Sequence, residues 1–145
     1  MKVRCVYNSG DELLKYNKNQ KKYNELGRFG STKYTEFGIT LNKEYIVMGM
    51  ILGKSALEYL IDDDGIISSY PYPLFEVIDN KIPSNWFFKS YNYFDKKYPY
   101  IEAIWGYYEL VFDDNHYSSL IEGNRAAERI YFKRKIEIEK MYNKN

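Results

Sequence analysis

From Ile39 to Phe88 apolar and polar residues alternate over short runs broken by tight turn signals. A period of two lays apolar side chains on one face of a strand, so this stretch predicts a small, strongly curved antiparallel sheet. The opening run Lys2–Tyr7 alternates in the same way and predicts a first strand with Val3, Cys5 and Tyr7 on one face. Glu44–Leu52 is too apolar for a strand with one wet face, so it is predicted to be central and covered at least in part on both sides. Gly49 inside it predicts a bulge or sharp bend. Leu57–Ile61 is the predicted partner strand. Asp62-Asp63-Asp64-Gly65 reads as a hairpin, because Asp-Gly accepts positive φ at little cost. Ile66–Tyr70 pairs back, Pro71 and Pro73 interrupt the ladder for want of an N–H, and Leu74–Ile78 is the next short strand. Trp86–Lys89 follows, and Tyr100–Trp105 is predicted as one more edge strand closed by Gly106.

The period changes after Trp105. Tyr107–Phe112 reads as a helical turn. Asp113 is a candidate N-cap for a short helix that Gly123 ends. Asn124 is a second N-cap, opening Arg125–Tyr142, where Ala127, Ile130, Tyr131, Ile138 and Met141 recur at helical spacing. Lys133 with Glu137 and Lys135 with Glu139 are expected i,i+4 pairs. One stripe of this helix is expected to pack on the sheet, since a helix of this length rarely holds alone in water.

Two segments lie outside this order. Asn8–Tyr34 is polar, holds several lysines and three glycines, and reads as a mobile excursion apart from a possible helical turn at Asp11–Leu14. Asn92–Tyr100 is a second polar, aromatic-rich loop. Long loops within a compact domain are often functional, and a tolerated insertion is the other reading.

At 145 residues, 45% of them hydrophobic and 28% charged, the chain has the composition of one globular domain. The division expected is a β-barrel over residues 1–105, with the inserted loop 8–34, and a helical segment over 106–145. A formal charge of +1 argues against a strongly electrostatic partner, because phosphate readers carry a basic excess or stripe. With a single cysteine, neither an intrachain disulfide nor a multi-cysteine zinc site is possible, and Cys5 reads as a buried strand thiol. The start lacks an apolar signal core, and no run approaches the roughly eighteen apolar residues of a membrane span. A reducing cytoplasm and no membrane partner are the expectation. Aromatics make up 19% of the chain, with seventeen tyrosines. Tyrosine suits binding surfaces, although a Tyr-, Asn-, Lys- and Ile-rich chain also matches an AT-rich bacterial genome.

No residue pattern specifies a chemistry. His116, the sole histidine, has Asp113 nearby but no evident nucleophile, so it reads as a surface residue in a helix's first turn. Asp62–Gly65 fails as a calcium loop, because the twelfth position from Asp62 is Pro73 rather than a glutamate. Gly27–Gly30 lacks the strand and helix that a phosphate cradle needs, and no nucleophile elbow appears. The expectation is therefore a binding protein rather than an enzyme, with no cofactor and no metal. Aromatic residues interleaved with lysines in the two loops mark the candidate partner-binding residues: Tyr16, Lys22 and Tyr23 in the first, Tyr91, Tyr93, Phe94 and Lys97 in the second.

The order of opening strand, long loop, hairpins and proline-broken strand resembles SH3-like barrels. The residues that carry it are Val3–Val6, Leu41–Val47, Tyr59–Gly65 and Tyr72–Val77. With Ile82–Trp86 and Trp105–Tyr107, the whole chain also resembles small proteins of Gram-positive bacteria of the immunity type, encoded beside secreted polymorphic toxins. That resemblance implies a five-stranded SH3-like barrel with a C-terminal helical segment, and a non-enzymatic protein that neutralises a toxin domain by direct occlusion. A nucleic-acid-binding SH3/KOW-like barrel using the same loops is the alternative. A structural or phage-encoded interaction module is a third class.

Overall fold

The computed structural model describes residues 1–17, 27–54, 56–91 and 98–144. Among these residues it is a mixed β/α protein with eight strands in two antiparallel sheets, followed by three α-helices. A three-stranded sheet has the order β2-β1-β6, from β1 (Lys2–Cys5), β2 (Glu44–Ile46) and β6 (Phe75–Asp79). A five-stranded sheet has the order β5-β4-β3-β8-β7, from β3 (Gly49–Gly53), β4 (Leu57–Asp63), β5 (Ile66–Pro71), β7 (Phe87–Ser90) and β8 (Ile101–Gly106).

The predicted run Glu44–Leu52 is two strands in two different sheets. Val47 and Met48, both at 0% exposure, fall into separate cores at the crossing. A residue pair buried on opposite sides has no wet face, which is why its alternation disappears from the sequence. Next to it, Gly49 lies close to the Leu110 side chain and the Trp105 carbonyl, where a Cβ would collide. The predicted edge strand at Tyr100–Trp105 is interior instead: β8 pairs with β3 on one side and β7 on the other. The hairpin at Asp62–Gly65 is observed, with Asp64 at φ 49 and Gly65 at φ 84, the paired positive φ of a two-residue turn that matches strand twist.

β4 shows how the layers are built. Tyr59 and Ile61 enter a core shared with Val3, Cys5, Tyr45, Leu74 and Phe75 of the small-sheet side. Leu60, between them, enters the other core, shared with Tyr107, Leu110, Tyr131 and Ile138 of the helices. Alternation on one strand thus feeds two cores on the two faces of the five-stranded sheet. Cys5 is buried as expected, and its thiol donates to the Tyr7 carbonyl at 3.3 Å. On the outer face of the small sheet Arg4 bridges Glu44 and Glu76, its cross-strand neighbours, at 2.8 Å each.

The described parts of the Asn8–Tyr34 excursion are tied down rather than loose. A 3-10 helix over Gly10–Asn17 buries Leu13. The Gly10 N–H donates to Thr35 O at 2.7 Å, and the Phe37 N–H to Asn8 O at 2.9 Å.

The C-terminal helices are α1 (Tyr108–Phe112), α2 (His116–Ile121) and α3 (Arg125–Tyr142). Asp113 is not the cap of α2. It closes α1, and its carboxylate accepts from the Asn115 N–H at 3.0 Å. The end of α2 is as predicted: Gly123 at φ 77 follows it, with the Asn124 N–H on Ser119 O and the Gly123 N–H on Leu120 O. Asn124 caps α3, accepting from the Ala127 N–H at 3.1 Å. Lys135 turns away from Glu139 and meets Asp62 at 2.7 Å, because a largely buried strand carboxylate needs a cation more than a solvated one does. Among the described residues no helix is long and apolar enough to cross a membrane.

Candidate functional site

The two ends of the five-stranded sheet differ. β5 meets α2 and finishes at Pro71, which has no N–H to offer. β7 meets α1 on one face, and among the described residues its outer backbone edge has no strand partner. Its neighbour on the inner side is β8, and the Tyr91 N–H donates to Glu102 O at 2.9 Å. By strand alternation, the backbone of Phe88 and Ser90 then points outward.

Large aromatics flank this edge on both faces. Phe87 stacks edge-on against Tyr108 and Phe112, with ring centroids 5.7 and 5.4 Å apart, and Tyr108 and Phe112 lie 5.1 Å from each other. Phe88 packs against its cross-strand partner Trp105 at 4.9 Å on the opposite face. The four phenyl and phenol rings remain 43–53% exposed. Exposed aromatic clusters beside a strand edge are features that protein interfaces use. Its border is polar, with Lys89 3.4 Å from Asp114.

Of the predicted binding residues, Tyr16 and Tyr91 are described, and Lys22, Tyr23, Tyr93, Phe94 and Lys97 lie outside the described residues. Tyr16 joins an aromatic cluster with Phe29 at 5.8 Å and Tyr72 at 6.4 Å, and Lys15 sits over its ring. Tyr91 lies directly after β7, half-buried against the helix-side core, with Lys89 above its ring at 5.0 Å and Tyr98 beside it at 5.8 Å. Of these two described residues, Tyr91 adjoins the exposed edge and Tyr16 does not. The edge aromatics themselves carry a sequence signal that loop-centred reasoning passes over: Trp86-Phe87-Phe88 is an uninterrupted aromatic run, where a strand with one wet face would alternate.

His116 is a correction. It is 3% exposed, not a surface residue, and its Nε2 lies 2.6 Å from the Tyr107 hydroxyl. The turn at Asp113–Asn115 points the first residue of α2 into the seam between α1 and the sheet. Burial lowers the imidazole's pKa, partly offset by Asp113 and Glu109. Burial likewise drives the Tyr107 hydroxyl well above the usual phenol range. Both groups are closed off from solvent, and the pair ties the start of α2 to the start of α1. Next to it Arg134 grips Glu109 with two nitrogens, at 2.8 and 2.7 Å. On the other face of the sheet the buried Asp63 accepts from Lys43, Thr40 and Tyr45. Burial opposes its charge, but these three donors outweigh burial and hold the carboxyl at about 2. Among the described residues no group of three His, Cys, Asp or Glu side chains is arranged to hold a metal.

At one end of the helix-side face a cavity of about 620 Å³ opens beside Tyr117. Ile51 and Glu58, paired across β3 and β4, lie in its lining with Phe29, Tyr98 and Tyr100. Ser69 Oγ donates to Glu58 Oε2 at 2.9 Å and lies 2.8 Å from the Tyr117 hydroxyl. No protein-family model matches the chain, and no curated protein or solved structure matches it either.

Proposed function

We propose that this chain is a non-enzymatic protein-binding module of the immunity type, acting in the bacterial cytoplasm and neutralising a toxin domain by occluding it. The observation that carries the reading is the β7 edge, which no strand among the described residues pairs, bracketed by Phe87, Tyr108 and Phe112 on one face and by Phe88 and Trp105 on the other. Buried aromatic anchors supply most of the affinity of protein interfaces, and a polar rim such as Lys89 and Asp114 fixes register. The loop that follows β7 carries Tyr91, Tyr93, Phe94 and Lys97, and it would extend this surface along the chain. The SH3-like reading of the β-portion belongs to the same proposal. It is supported by the way β2 passes into β3 at Val47–Met48, so that strands of both sheets enclose one core around Tyr45, Tyr59 and Phe75.

The test is capture by the immobilised chain from lysate and secreted fractions of the host, at about 1 M salt where charges are screened within roughly 3 Å. The expected outcome is a retained protein whose affinity falls at least ~10-fold with Phe88→Ser and with Phe112→Ser, as for hot-spot anchors. Equal retention by both variants would remove the edge from the interface. Retention of nucleic acid alone, with an affinity that collapses as salt rises, would favour the nucleic-acid-binding alternative.

A further inference from the structure

α3 buries Ala127, Tyr131 and Ile138 in the helix-side core. Its opposite side carries, at helical spacing, Arg125, Arg129, Phe132, Lys133, Ile136 and Lys140, which line a shallow groove drawn from α3 alone. All but Phe132 are exposed, Ile136 at 53%. Phe132 is half-buried, its ring 5.2 Å from that of Tyr131.

Glu128 and Glu137 also line the groove. Lys133 does not take Glu137 as its spacing predicts. Glu137 accepts instead from Arg134, at 2.9 Å. Among the described residues Arg125, Arg129, Lys133 and Lys140 make no ion pair, and neither does Glu128. The groove therefore holds four cations without anions of their own against one free carboxylate. Like charges at i,i+4, here Arg125 with Arg129 and Arg129 with Lys133, repel. An anionic partner relieves that repulsion.

Anionic partners differ in what else they need. A lipid surface needs an apolar stripe roughly 100° wide or more, and here two apolar residues sit among cations. Single-stranded nucleic acid needs open ring faces for its bases, but Ile136 is aliphatic and Phe132 is half-buried. A second helix fits both the charge and the spacing. Arg125, Arg129, Phe132 and Ile136 advance by four, three and four residues, the alternation of a helix-packing seam. Lys133 and Lys140 each follow a seam turn on the same flank, where facing helices place ion pairs.

We propose that this face of α3 receives an acidic amphipathic helix of the protein partner. Phe132 and Ile136 pack against its apolar seam, and its carboxylates meet Arg125, Arg129, Lys133 and Lys140. The surface shares no residue with the β7 edge, and its assignment to the partner rests on the protein-binding reading given above.

The chain alone is titrated with a fluorescein-labelled helical peptide of about three heptads, with Leu at a and d and Glu at e and g. Its counterpart carries Lys at e and g. Affinity is read from anisotropy at low salt, and the contact from backbone amide shifts. The Glu peptide is expected to bind at least ~10-fold more tightly than the Lys peptide, with several ion pairs gained rather than opposed. Its shifts are expected to centre on Arg125–Lys140. The double variant Arg129→Glu, Lys133→Glu is expected to keep the melting temperature and reverse the preference. Equal binding, binding of neither peptide, shifts centred elsewhere or an unreversed preference would overturn the proposal. So would tighter binding of phosphatidylglycerol vesicles or single-stranded DNA at the same residues, in favour of a lipid or nucleic-acid surface. This titration needs no partner, so it stands or falls apart from capture at β7. With the captured partner, lowering salt from about 1 M to about 0.1 M is expected to raise affinity at least ~10-fold for the wild type and not for the double variant. An equal gain in both would overturn docking of the partner on α3 while leaving β7 capture intact.

Discussion

The two faces of the five-stranded sheet each hold a largely buried β4 carboxylate against a lysine, and the helix face adds a neutral pair. Toward the small sheet, Asp63 is kept ionised by the Lys43 cation and two hydroxyls. Toward the helices, the Asp62 carboxylate meets the Lys135 cation and the Tyr131 hydroxyl, and the buried Tyr107–His116 pair beside them is neutral at physiological pH. An ionised buried group needs a committed set of donors, and Asp63 has one. A neutral pair needs only one good hydrogen bond. Glu58 and the cavity beside Tyr117 lie at one end of the helix-side face.

The comparison breaks first if the two cores are not one cooperative unit. Leu60 and Ile61 are neighbours on β4, both at 0% exposure, and each serves a different core. Leu60→Ala and Ile61→Ala are each expected to cost about 3 kcal/mol, the usual loss for a fully buried aliphatic side chain. Both variants should still unfold in one calorimetric transition, because a shared strand couples the cores. Two separate transitions in either variant would show that the faces melt independently.

A smaller effect sharpens the electrostatic half. The Asp63 carboxyl falls from its ordinary 3.8 to about 2 in the folded protein. A depressed carboxylate pKa contributes stability that is present above the unfolded value and is lost as pH falls from about 4 through about 2. Asp63→Asn is expected to cost about 2 kcal/mol at pH 7, with some screening because Lys43 is 36% exposed. The variant should also flatten the acid limb of the stability curve below pH about 4. An acid limb of unchanged steepness would mean that Asp63 is not the group holding this face together at low pH.

Local features were readable in the chain and tertiary ones were not. Asp64–Gly65 and Gly123–Asn124 are legible because positive φ and a cap are dictated by the residues themselves. The division of Glu44–Leu52 between two sheets is hidden, since Val47 and Met48 are apolar on both sides. The interior position of β8 is hidden for a related reason: which strand pairs with it is decided by partners far away in sequence. Tyr16 is recognisable as an aromatic beside lysines, but its packing on Phe29 and Tyr72 is not. The cavity base combines Glu58, Ser69 and Tyr117 from β4, β5 and α2. No spacing along the chain announces a site assembled from three elements, whereas Trp86-Phe87-Phe88 announces the exposed edge to anyone asking why alternation fails there.

The smallest expected effect tests the neutral half of the comparison. His116 has its pKa lowered below 6.5 by burial, against the weaker pull of Asp113 and Glu109. The unfolded chain takes up a proton near pH 6.5 while the native ring resists it, so stability falls as pH drops below about 6.5 and levels off once the native ring is protonated. Protonation would also leave both ring nitrogens as donors, so the Tyr107 hydroxyl oxygen would have to accept from Nε2. His116→Phe fills the ring's place but leaves that hydroxyl unpaired, at a cost of about 1 kcal/mol at pH 8. Between pH 8 and 5 the variant should lose less stability than the wild type, as read from denaturant midpoints at each pH. Parallel curves would mean that the helix face is insensitive to the charge on His116.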